Sequence, residues 1–213
     1  MPKTILVLAV GLGLAGAASG GGRGFSAHVT NPWFPLKPGA VYRYQGVRDG
    51  KPSRDVVRVT HRTKTIDGVP CVVVEDRLYL EGKLAERTTD WYSQDAKGNV
   101  WYFGEATAEL DANGKVTSTE GTWHAGRDGA KAGIYMPASP RPGRTGRQEY
   151  YKGHAEDHFR VLDYLGRNAL LVEETTPLEP GVVDHKLYVR GTGTVLERTV
   201  KGGDELNELV SLR

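Results

Sequence analysis

Turn signals recur at short intervals through this chain and leave little room for anything but a β-meander. Asp49-Gly50, Asp67-Gly68, Glu81-Gly82, Lys97-Gly98-Asn99 and Asn113-Gly114 each separate runs rich in β-branched and aromatic residues. Asp-Gly and Asn-Gly suit type I′ turns, which need two consecutive residues at positive φ and match the twist of paired strands. The runs between them cover 41–47, 55–66, 69–80, 83–94, 100–110 and 115–124. After a Gly-rich stretch come 148–165, 169–175, 182–190, 194–200 and 205–212. No long window between breakers carries apolar residues at i, i+3, i+4 and i+7, so little helix is expected. The last run is the best helix candidate, because Asp204 suits an N-cap. Its Leu206, Val210 and Leu212 alternate on one face after Gly202-Gly203, and a strand is the expectation.

Strands joined by tight turns are antiparallel neighbours, since parallel pairing needs long crossovers. A meander of about ten strands is too wide to stay flat and open. Twist and the burial of one face curl it. The expected fold is therefore all-β, an antiparallel meander curled into a barrel or half-barrel around a cavity. One β domain is expected over 31–213, with a long Gly/Pro loop at 126–147. Pro137, Pro140 and Pro142 forbid regular pairing there, so this loop is expected to lie across one mouth or face as a lid or plug.

Residues 1–19 have the pattern of a secretory signal peptide. Lys3 precedes the apolar stretch Ile5-Leu6-Val7-Leu8-Ala9-Val10, and Ala15-Gly16-Ala17 supplies small residues for cleavage. The stretch is shorter than the ~20 residues that span a bilayer, and its glycines weaken it as a helix. A flexible spacer is expected over 20–30, and the mature chain is expected to be secreted, extracellular or periplasmic, without stable membrane insertion. Lys and Arg number 28 against 26 for Asp and Glu, an imbalance too small for a dedicated nucleic-acid binder. The single cysteine, Cys71, excludes an intramolecular disulfide. It lies in the apolar run Val69-Pro70-Cys71-Val72-Val73-Val74, where a buried, inert thiol is expected.

Phe34-Pro35-Leu36-Lys37-Pro38-Gly39, followed by Tyr42-Arg43-Tyr44, resembles the opening of a class of exported bacterial β-sheet proteins. Those proteins are similar to the lipoprotein-carrier (LolA-like) half-barrel superfamily, many members of which have no known activity. The resemblance covers about a dozen residues and implies fold and compartment more than ligand. Carriers of acyl chains line the half-barrel with apolar side chains, whereas several strands here set carboxylates beside aromatics.

That pairing supplies the main candidate site. Asp90-Trp91-Tyr92, Trp101-Tyr102-Phe103-Gly104-Glu105, Glu120-Gly121-Thr122-Trp123 and Gln148-Glu149-Tyr150-Tyr151 interleave rings with carboxylates. Rings stack on sugars and cations, and carboxylates accept hydrogen bonds. Trp91, Trp101, Glu105, Glu120, Trp123, Glu149 and Tyr150 are the expected ligand-binding residues, and strict alternation puts Trp101, Phe103 and Glu105 on one face. A second constellation is His154-Ala155-Glu156-Asp157-His158. On a strand, 154, 156 and 158 share a face, but i and i+4 stand about 13 Å apart. Two of His154, Glu156 and His158 would need a third ligand, such as His185 or Glu173, to hold zinc or iron. Adjacent Glu173 and Glu174 point to opposite faces, one of them toward a partner such as Lys186 or Arg160.

The expected function is a non-enzymatic exported binding protein holding a small polar or amphiphilic ligand, with no catalytic residue and no cofactor. The alternatives are a metal-assisted or carboxylate-dependent extracellular hydrolase, with Glu149 or Glu173 as general base, and a structural or interaction module of the cell envelope.

Overall fold

The hairpin signals set the topology turn by turn. Asp49 and Gly50 stand at φ 52° and 69°, Asp67 and Gly68 at 47° and 75°, Glu81 and Gly82 at 50° and 82°. Both central residues are left-handed in each case, as type I′ turns require. The computed structural model describes residue 22 and residues 24–213, so the leader expected over 1–19 lies outside the described residues.

The described residues form sixteen strands and no helix. They are β1 (Phe25–Ser26), β2 (Val41–Arg48), β3 (Lys51–Ile66), β4 (Val69–Leu80), β5 (Lys83–Asp95) and β6 (Val100–Leu110). Next come β7 (Val116–Ser118), β8 (Trp123–His124), β9 (Lys131–Met136), β10 (Thr145–Arg147) and β11 (Glu149–Tyr150). The last five are β12 (His158–Leu165), β13 (Ala169–Thr175), β14 (Val183–Val189), β15 (Gly193–Lys201) and β16 (Leu206–Leu212). All pair antiparallel in one sheet, whose main path runs β10-β12-β13-β14-β15-β16-β2-β3-β4-β5-β6-β9-β11, with β1 on β5 and β7 and β8 on β6. The curled all-β meander expected from the turn pattern is the fold, a nearly closed barrel. Several of the extra strands are short pieces that no run of residues announces.

Two long-range joins close the sheet. The last strand returns beside the first long one, with Leu212 opposite Tyr42 and Leu206 opposite Val47. At the other join, β10 lies on β12 while β11 lies on β9, and only Gln148 separates β10 from β11. One short segment thus binds both free edges. Gly133 of β9 makes the approach feasible, since a Cβ there would stand 2.3 Å from the Arg147 carbonyl oxygen. The Gln148 side chain donates to Glu174 Oε1 at 2.9 Å and its backbone N–H to the Asp157 carbonyl at 2.8 Å, tying the strap inward.

The stretch 126–147 expected as a loop therefore contains β9 and β10, because Lys131–Met136 is free of proline and pairs with β6 and β11. Only its 137–144 part crosses the barrel end, with Pro137 and Pro140 fully buried. The spacer expected over 20–30 also ends early. Phe25 packs edge-on against Trp101 at 6.0 Å and Phe103 at 5.5 Å, and β1 pairs with β5. The main cap is the segment 31–36. Asn31 donates to the Gly98 and Pro137 carbonyls, Trp33 is buried beside Tyr164, and Gly191 N–H donates to Pro32 O. This Pro- and aromatic-rich segment seals one end and points Phe34, Pro35 and Leu36 inward.

Candidate functional site

Alternation along the strands builds the interior. Tyr42 and Tyr44 on β2, Asp55 and Val57 on β3, Val74 and Asp76 on β4, and Asp90 and Tyr92 on β5 line one cavity. Lys186 on β14, Glu197 on β15, Asn207 on β16 and Tyr135 on β9 complete the wall with Phe34 of the cap. The cavity is about 180 Å³, room for a small organic molecule rather than a long chain. It abuts a seam in the sheet. β15 and β16 pair only over Leu196–Arg198 and Leu206–Glu208, and beyond that the Tyr44 hydroxyl donates to Thr194 O at 3.1 Å.

Strand register places three aspartates on a diagonal. Val57 stands opposite Asp76 and Val74 opposite Asp90, so each acid neighbours the next across a strand pair. Asp90 is only 8% exposed, and its Oδ1 accepts a 2.7 Å bond from the Tyr102 hydroxyl. Burial pushes its pKa up to about 7, with the Tyr102 bond pulling the other way. Burial, then the adjacent Asp55 carboxyl, holds Asp76 well above the usual range. Asp55 and Asp76 Oδ1 are buried and receive no donor from another residue, and the two carboxyls hydrogen-bond one another. The Tyr92 hydroxyl, on a side chain 7% exposed, also makes no hydrogen bond among the described residues.

The one ammonium in the lining is already engaged. Lys186 Nζ lies 2.7 Å from Glu174 Oε2 and 3.1 Å from Glu197 Oε1. Burial works against its charge, yet these two carboxylates hold its pKa well above the ordinary lysine value. Glu197 is pushed up to about 7 by burial, which the Lys186 charge only partly offsets. Beyond this pair a second cavity of about 210 Å³ opens between Asp157, Glu174, Thr176, Glu179 and Asp184.

The expected ligand-binding residues divide into two groups. Glu105, Trp123 and Glu149 gather inside. Glu105 stands opposite both Asp90 and Trp123, and Trp123 Nε1 donates to Glu149 Oε2 at 2.7 Å. Burial, then the Asp90 and Glu149 charges, raises Glu105 well above its ordinary pKa. Burial, then Asp157, raises Glu149 to about 8. Strict alternation fails in β6 because Phe103-Gly104 bulges. Tyr92 pairs with Tyr102 and Asp90 with Glu105, so Trp91 alone on β5 faces both Phe103 and Gly104 on β6. Gly104 permits this at φ 132°, where a Cβ would meet the Trp123 carbonyl oxygen at 2.3 Å. Glu105 thus shares the inner face with Tyr102, while Trp101 and Phe103 face Phe25.

The other four candidates are elsewhere. Trp101 is half-buried and its Nε1 donates to Asp95 Oδ2 at 2.9 Å. Trp91 is covered by the stacked His124 ring at 4.6 Å and by Lys64 Nζ at 3.8 Å. Tyr150 lies against Arg147 at 4.3 Å, and Glu120 is exposed in a turn.

The histidine constellation is not assembled. The strand expected through 154–158 is a tight turn bridged between Tyr151 and Ala155, with Gly153 at φ 79°. His154 is exposed and stacks on Tyr151 at 4.4 Å, and Glu156 Oε1 accepts from Gly153 N–H at 2.8 Å. Arg147 Nε donates to His158 Nε2 at 3.4 Å, and His185 Nε2 lies 3.8 Å from Glu173 Oε2. Among the described residues no three His, Cys, Asp or Glu side chains are grouped to hold a metal. Cys71 is buried and its thiol is pushed up to about 12 by burial.

Sequence reasoning missed Asp55, Asp76, Tyr42, Tyr44, Tyr135 and Glu197. A usable signal was present in the rows of alternate residues. Val72-x-Val74-x-Asp76 and Asp55-x-Val57-x-Val59 continue an apolar inner face into an acid, and Tyr42-x-Tyr44 and Asp90-x-Tyr92 set rings on that face.

No family model and no curated protein matches this chain. Among solved structures, it is similar to a "putative lipoprotein" from Parabacteroides distasonis ATCC 8503, at 11% identity and a TM-score of 0.44. The match covers 86% of this chain and 99% of that one.

Proposed function

We propose that this is an exported, non-enzymatic binding protein that holds a small polar ligand inside a nearly closed β-barrel. The observation that carries the reading is the cavity beneath the 31–36 cap, whose lining includes buried polar atoms without partners. A polar occupant suits such a lining better than an apolar one, since a buried polar group left unmet costs on the order of 1–3 kcal/mol. Export rests on the leader pattern of residues 1–19. The resemblance of the segment 34–44 to half-barrel lipoprotein carriers supports export and a curled sheet rather than any particular ligand. A long acyl cargo is disfavoured, because four carboxyl groups and four tyrosines share a lining with few aliphatic side chains.

Native mass spectrometry of protein recovered gently from its own host fraction tests the reading. A small polar adduct, or a thermal shift with one class in a panel of sugars, amines and lipids, is expected. Recovery of fatty acyl chains alone, or no adduct and no shift with any class, would refute it. Intact mass should show loss of roughly the first nineteen residues, and retention of the leader on exported protein would count against export by cleavage.

A further inference from the structure

The geometry points to a small alkylammonium ion as the occupant of the cavity, its nitrogen held by Asp55 and Asp76 and its carbon body against Phe34, Tyr92 and Tyr135. The inference rests on the reading above that the cavity holds a ligand, and it names the class.

Charge balance comes first. The lining carries Asp55, Asp76, Asp90 and Glu197 against Lys186 alone. Lys186 is committed to Glu174 and Glu197, so no lining cation answers the three aspartates. Buried carboxylates without a partner are costly, and a charged donor satisfies them better than a neutral one. Donor count points the same way. Asp55 and Asp76 hydrogen-bond one another and receive no donor from another residue at Oδ1, so once both are ionised their complement must bear hydrogens. A primary ammonium has three N–H donors, enough for one oxygen of each aspartate and for the Tyr92 hydroxyl.

Part of the wall is aromatic. Phe34 lies 5.4 Å from Tyr92 and 4.6 Å from Tyr135, and Tyr92 lies 5.2 Å from Tyr135. Such a cluster takes the methylenes beside a charged nitrogen and adds cation–π attraction. The space of about 180 Å³ limits the body to a few carbons.

The test is calorimetry at neutral pH and fixed ionic strength with n-butylammonium chloride and with 1-butanol, its uncharged counterpart. Butylammonium should bind one to one, at least about tenfold more tightly than butanol. Asp76→Asn and Asp55→Asn should each weaken it about tenfold, while leaving butanol unchanged and the thermal transition cooperative. Because asparagine relieves the clash of neighbouring acids, these variants should melt no lower than the parent, so lost binding cannot be lost folding. Equal affinity for butylammonium and butanol, or binding of butylammonium untouched by both variants, overturns the assignment. If butylammonium fails while a neutral sugar or polyol binds, the class is wrong and the binding reading stands. If no compound enters the cavity, both fall.

Discussion

Replacing Glu149 by glutamine should make the protein more stable at alkaline pH and leave it unchanged in mild acid. Glu149 sits on the strap that closes the sheet, 6% exposed, with Oε2 accepting the Trp123 indole N–H. Burial, then the charge of Asp157, raises its pKa to about 8 from an ordinary 4.5. The unfolded chain loses this proton near 4.5, while the fold keeps it until about 8. Between those values the unfolded state binds fewer protons, so stability falls as pH rises. At about 1.36 kcal/mol per pH unit the loss from this group approaches 5 kcal/mol. Glutamine keeps the shape and an acceptor for the indole but cannot ionise. Urea denaturation should find the two proteins within about 1 kcal/mol at roughly pH 5. At roughly pH 8.5 the variant should lead by several kcal/mol, equivalent to about 10 °C in Tm. Parallel pH profiles, or a variant less stable at alkaline pH, would refute the reasoning.

Gly104→Ala should cost about 3 kcal/mol or more in chemical denaturation, because φ 132° is strained for alanine and its Cβ meets the Trp123 carbonyl; an unchanged midpoint would remove the bulge from the account. Gln148→Leu should cost about 1–3 kcal/mol by taking a donor from Glu174 and loosening the strap, which hydrogen exchange at β9–β11 would register. Trp101→Phe should lower stability by about 1 kcal/mol through loss of the Asp95 bond and leave butylammonium affinity unaltered; a large fall in affinity would place the site near the 134–144 face instead. Cys71 should react with a thiol reagent only on the timescale of opening, so rapid labelling of the native protein would contradict its burial.

The fold was legible where local chemistry dictates geometry. Asp49-Gly50, Asp67-Gly68 and Glu81-Gly82 take up left-handed pairs whatever surrounds them, and antiparallel neighbours follow. The strand through Leu206–Leu212 showed in its alternation. What was not legible depends on contacts far apart in the chain. β10 is a strand only because the barrel's edge needs covering, and Thr145–Arg147 has no run of β-formers to announce it. β11, by contrast, opens the run 148–165, and the turn at Gly153 splits it from β12. The site was half visible for a similar reason. Glu105, Trp123 and Glu149 stood out as acids beside rings, and they do meet inside. Trp101 looked equivalent to Glu105, but one extra residue at Phe103-Gly104 sends the two to opposite faces. The histidines failed because a glycine at 153 turns the chain where a strand would have aligned them. Asp55, Asp76 and Asp90 converge only through the register of β3, β4 and β5, which no single run of sequence contains.

Carboxyl-carbon NMR titration of the aspartates, without and with n-butylammonium, measures most directly what the interior is built to hold. The account predicts that Asp76 titrates well above the ordinary carboxyl range and Asp90 at about 7 in the free protein, and that both fall when the ammonium is added. Titration of both near about 4 in the free protein, unmoved by the ammonium, would mean a wet and open interior and would contradict it.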